Sequence, residues 1–103
     1  MNDVQFSLNL LGTILKEARR DDMTFAERAG LYAGAKAVCT EFHTYIDERC
    51  HGDGYAHEKA SQFEWHIGAA LGFAVTNGHD KSMHIGWAMA AQSSLSDVLT
   101  RDQ

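Results

Sequence analysis

Along this chain apolar residues recur at spacings of three and four, and no proline interrupts them. That spacing lines one face of an α-helix, whose period is about 3.6 residues. A strand would need alternation with a period of two, and no stretch sustains it. Proline is the strongest helix breaker, so its absence leaves long helices permitted throughout. The expectation is an all-α chain.

Four helical segments can be read in order. Val4, Leu8, Leu11, Leu15 and Ala18, widened by Leu10 and Ile14, predict a first helix from Val4 to Arg20. Thr24, with Glu27 three residues on, forms a capping-box pattern, so a second helix starts there and runs to about Cys50. Its apolar stripe is Leu31, Ala35, Val38 or Cys39, Phe42 and Ile46. His51-Gly52-Asp53-Gly54 is a break with Asp53 as a cap. A third helix is predicted from about Tyr55 to Val75, burying Phe63, Ile67, Ala70, Leu71 and Ala74. Asn77-Gly78 is expected to stop it, and Asp80 or Ser82 to cap a fourth helix that ends near Thr100. The fourth turns Trp87, Ala88, Ala91, Leu95 and Val98 inward, while Asp102 and Gln103 fray. Short connections favour antiparallel neighbours, hence an up-and-down bundle of about four helices. At 103 residues the chain is read as one domain spanning 1–103.

Glycines stand inside these helices, where each costs roughly 1 kcal/mol relative to alanine. Gly30 and Gly34, Gly68 and Gly72, and Gly86 and Ala90 are each four apart, forming small-residue stripes. The first expectation is close helix approach within the chain. The second is a stripe facing another copy or a partner helix, flanked by Trp65, Phe73, Phe6 and Tyr32.

Charge narrows the function. A net charge of −5 repels phosphate backbones, so nucleic-acid binding is not expected. Lys16, Arg19 and Arg20 are followed at once by Asp21 and Asp22, and a cationic helix end explains them. The longest apolar run, Trp65 to Thr76, holds His66 and falls short of the roughly 20 residues a span requires. Met1-Asn2-Asp3 offers no basic leader. Cys39 and Cys50 on one helix would be roughly 16 Å apart at 1.5 Å per residue, too far for an internal disulfide. A cytoplasmic protein with no membrane segment and reduced thiols is therefore expected.

Three histidine patterns merit attention. His43, Asp47 and His51 are spaced four apart, with His57 past the loop and Cys50 nearby, which suits a borderline metal ion. The same positions also form the natural solvent stripe of that helix. Glu48-x-x-His51 has the spacing of di-iron bundles but no second copy, and His57-Glu58 opens a zinc-protease pattern that fails because Ser61 replaces the second histidine. His66-Ile67-Gly68 and His84-Ile85-Gly86 place histidines beside apolar stripes, where a buried, hydrogen-bonded imidazole is the commoner outcome. No catalytic residue and no cofactor are signalled.

These readings converge on a small non-enzymatic protein–protein interaction or regulatory module, of the kind found among bacterial and phage proteins, acting as a homodimer. The alternative is a metal- or ligand-binding bundle using His43, Asp47 and His51. Stripe and aromatic positions proposed for close packing or an interface are Gly30, Gly34, Gly68, Gly72, Gly86, Trp65 and Phe73.

Overall fold

The computed structural model describes residues 3–101. It has four helices and, among the described residues, no strand: α1 Asp3–Ala18, α2 Phe25–Arg49, α3 Gly54–Leu71 and α4 Lys81–Thr100. Sequence neighbours pack side by side and α4 returns to α1, which makes a four-helix bundle. The α3–α4 pair is the most extensive contact. The expected fraying at Asp102 and Gln103 falls outside the described residues. Among the described residues, no helix is long and apolar enough to cross a membrane.

Local chemistry starts each helix. The Thr24 hydroxyl accepts from the Glu27 amide at 3.1 Å, and the Glu27 carboxylate accepts from the Thr24 amide at 2.9 Å, completing the capping box. Asp53 caps α3 by accepting from the Ala56 amide, and Asp80 caps α4 by accepting from the Met83 amide. Before α2, Arg20 reaches Glu17, Asp22 and Glu27, so the expected cationic helix end is also an ion-pair hub at the α1–α2 turn.

The core is the one the periodicity implies. Val4, Leu8, Leu11, Leu15 and Ala18 of α1 meet Ala35, Cys39, Phe42 and Ile46 of α2, Phe63, Ile67 and Leu71 of α3, and Leu95 and Leu99 of α4. Burying side chains the size of Phe42 or Phe63 contributes about 1.5–3 kcal/mol each. Burial pushes the Cys39 thiol up to about 12, so it packs as a small hydrophobe rather than reacting as a thiolate. Neither cysteine is in a disulfide. Trp87, expected inside, stands at the edge of α4 with 38% of its surface exposed, and its inward neighbour is His84.

The end of α3 differs from expectation. The helix stops at Leu71 rather than near Val75, because Gly72 is its left-handed cap (φ 91°). The Phe73 amide donates to the Gly68 carbonyl at 2.7 Å and the Gly72 amide to the Ala69 carbonyl at 3.2 Å, the two bonds of a Schellman motif. Asn77 and Gly78 do have positive φ, yet they shape the loop to α4 instead of ending α3. Gly68 and Gly72 are therefore not a stripe along one helix.

The other stripes do not pack within the chain either. A Cβ at Gly30, Gly34 or Gly86 would meet no atom within 4 Å beyond its own helix. Of the glycines within the helices, Gly68 faces a close neighbour, since its Cβ would lie 2.9 Å from the Tyr32 ring. That ring stacks on Phe73 at 5.5 Å, and Phe73 meets Phe25 edge-on, so the approach is to an aromatic cluster and not to a helix backbone. Gly68→Ala should accordingly lose up to about 2 kcal/mol in chemical denaturation: overpacking costs about 1–3 kcal/mol and improved helix propensity returns about 1. Coupling to Tyr32→Ala in a double-mutant cycle should recover the loss. A single mutant more stable than wild type would show that the ring yields freely.

Candidate functional site

Five of the six histidines gather into two groups, both anchored on α3. Near its start, α3 and the last turns of α2 lie antiparallel, with His57 and Ser61 one turn apart on one helix and His43 and Asp47 one turn apart on the other. His57 Nε2 is 2.7 Å from Asp47 Oδ1, His57 Nδ1 is 2.6 Å from His43 Nδ1, and Ser61 Oγ is 3.5 Å from His43 Nε2. The carboxylate accepts from His57 Nε2–H, so a neutral His57 offers its Nδ1 lone pair to His43 Nδ1–H. Burial, then the facing His57, holds His43 below the ordinary histidine value. The Ser61 contact lies at the outer limit of hydrogen bonding. This chain thus ties α2 to α3 chiefly through two imidazoles and a carboxylate.

Of the three metal ligands suggested by spacing, the structure brings His43 and Asp47 to His57 and leaves His51 apart. His51 is exposed in the left-handed turn after α2 (φ 55°) and joins none of these hydrogen bonds. His57 spends both ring nitrogens on Asp47 and His43. Among the described residues, no group of three or more His, Cys, Asp or Glu side chains is disposed to hold a metal ion.

The second group lies at the other end of α3. His84, on the first turn of α4, is fully buried. Its Nε2 donates to the Thr76 carbonyl at 2.9 Å, which fixes the tautomer and leaves Nδ1 as an acceptor. His66 Nδ1 stands 3.0 Å away and must be the donor. Neutral His66 therefore carries its lone pair on Nε2, which has no hydrogen-bond partner among the described residues and is open to water, since none of their side-chain nitrogens or oxygens is both buried and unsatisfied. Burial, then the His84 imidazole, lowers His66 from the ordinary value of 6.5.

Aromatic rings surround this pair. Trp65 meets His66 and His84 edge-on at 4.7 and 5.5 Å, and Trp87 meets His84, His66 and His79 at 5.5, 5.4 and 4.9 Å. The rings enclose a cleft of about 300 Å³ lined by Trp65, His66, Asn77, His79, His84 and Trp87. No charged side chain lines it. His79 is exposed but packs its ring on Trp87.

The sequence groups His43 and Asp47 with His57 only as possible metal ligands and takes His66 and His84 separately, so it shows neither imidazole pair. A signal was present: His43 and His57 are equally far from Cys50, and His66 and His84 equally far from Val75. Residues equidistant from the turn of an antiparallel helical hairpin face one another.

Comparison with protein-family models, with curated proteins and with solved structures yields no match to this chain.

Proposed function

We propose that this protein is a non-enzymatic interaction module whose working form is a homodimer, joined through the outer face of α4. The observation that carries this reading is that face itself. From Ser82 to Ser96 the helix has no charged residue, and Met83, Gly86, Trp87, Met89 and Ala90 are exposed along it. Met83 and Met89 each keep 44% of their surface open. Depletion of charge with enrichment of methionine and aromatics is the composition of an interface core. Gly86, with nothing near its Cβ position, leaves backbone bare for a crossing helix. Beside it runs a groove of about 610 Å³ whose edge carries Arg19, Asp21, Asp80 and Lys81, a charged rim around an apolar centre. Such a face can pair with its own two-fold copy. The reading includes a cytoplasmic location, supported by two thiols outside any disulfide.

Gly86→Glu separates association from folding. Glutamate is the better helix former, so the monomer should be no less stable, while a charge at the centre of the face should dissociate the pair. Sedimentation should find a wild-type dimer and a Gly86→Glu monomer of unchanged helicity. A wild-type protein that stays monomeric at millimolar concentration would refute the dimer.

A further inference from the structure

We propose that the cleft between Trp65 and Trp87 is a binding site for an alkylammonium group that keeps at least one N–H, held by its charge against the indole rings and by a hydrogen bond to His66 Nε2. Three observations carry it. The lining is aromatic, with two indoles and three imidazoles, and a cation over an indole face is the strongest of the cation–π pairings. The only imidazole nitrogen whose hydrogen bonding is left open by the Thr76–His84–His66 chain is an acceptor, His66 Nε2, and it asks for a donor. The chain carries net charge −5 and puts no cationic side chain in the lining, so the surrounding field favours a cation over an anion.

Two rings face the imidazole of His66 as titratable neighbours: His84 from α4, in direct contact, and His79 from the loop, across Trp87. Neither carboxylate nor lysine lines the cleft; Asp80 and Lys81 line the groove on the other side of α4. Protonation of His66 would remove the acceptor and add a like charge. Ligand and proton therefore compete, and affinity falls toward acid. An anion would show the opposite dependence.

The test needs no label, because both tryptophans of the chain line this cleft, and titrating the Gly86→Glu variant keeps any pairing through Trp87 out of the fluorescence signal. At about pH 8, where free imidazole is neutral, n-butylammonium should give a saturable change in the millimolar range. n-Butyltrimethylammonium keeps the charge but has no N–H, so it should bind about tenfold more weakly, a charged hydrogen bond being lost. n-Butanol should not saturate. Acidifying the solution below about pH 6.5, through the range where the lowered His66 takes up its proton, should progressively weaken n-butylammonium. His66→Phe keeps a ring but no acceptor and should erase the preference for the N–H-bearing cation. If that variant does not fold by circular dichroism, Trp65→Leu decides, with an expected weakening of about tenfold from one lost π wall. The Gly86→Glu variant keeps every lining residue and leaves Trp87 uncovered, so it should bind n-butylammonium whether or not the wild type pairs through α4. Absence of saturation, equal binding of n-butanol, or tighter binding of butyrate at acid pH would overturn the assignment.

Discussion

Replacing His84 with alanine should destabilise the fold by about 4 kcal/mol, among the largest single-residue effects outside the hydrophobic core. The side chain is fully buried and is the hub of its cluster, in ring contact with Trp65, His66, His79 and Trp87. Truncation leaves a cavity, worth about 2–5 kcal/mol at large buried side chains. It also strips the donor from the Thr76 carbonyl and the acceptor from His66 Nδ1, each about 1 kcal/mol where water repairs the loss incompletely. The upper end is not reached because the cleft lets water in.

A pH signature accompanies the loss. His66 and His43 both titrate below their ordinary 6.5 in the folded chain. Between the folded value and about 6.5 the unfolded chain therefore binds more protons, so stability rises with pH through that window. It is complete above about 6.5 and is lost as the solution is acidified below it. Asp22 and Glu27, held low by Arg20 and by the Thr24 backbone amide respectively, act only at lower pH, where carboxylates protonate. Urea denaturation at about pH 7 and about pH 5 should show wild type weaker in acid, and His84→Ala less sensitive because His66 has lost the imidazole that disfavours its protonation. A wild-type midpoint that does not move between these conditions would contradict the lowered His43 and His66.

Gly72→Leu should cost about 2–3 kcal/mol, the effect of a cap and not of a helix–helix contact. At φ 91° a leucine adopts a left-handed conformation worth about 1–2 kcal/mol against it. Its Cβ would also press Arg28 Nη1, 3.1 Å away, which donates at 2.6 Å to the Leu71 carbonyl at the open end of α3. Weakening that charged bond adds about 1 kcal/mol. Leucine's helix propensity returns nothing, since the position lies past the helix. Gly78 has φ 81° and would be strained too, so the suitable control is Gly30, inside α2 with open space around it. Gly30→Ala should raise stability by about 0.5–1 kcal/mol. Thermal melts giving Gly72→Leu the stability of wild type would mean that the Schellman cap contributes little to the hairpin.

Gly72 also marks where the sequence stopped being legible. A glycine four residues after another reads equally well as half of a packing stripe and as a helix terminator. Apolar spacing ran on through Phe73 and Ala74, which favoured the longer helix. The choice belongs to contacts that are distant in sequence: Phe73 turns aside to stack on Tyr32, and Arg28 of α2 meets the last carbonyl of α3. Similarly, an exposed stripe such as Gly30 and Gly34 has the same composition as a buried one. Only the placement of α2 in the bundle decides which it is.

By itself the sequence determined the four helices, apart from the end of α3, and most of the core, because these follow from interactions within a few residues and from one apolar face per helix. Thr24 with Glu27 and Asp53 cap where the pattern placed them, and of Asp80 and Ser82, which the pattern left open, Asp80 is the cap. Tertiary structure decided which histidines meet. An imidazole's partner is a group across a hairpin, and the register of that hairpin depends on how α3 ends at Gly72 and how the loop to α4 closes. The lone pair on His66 Nε2 is further removed still, for it is set two hydrogen bonds away by the backbone carbonyl of Thr76.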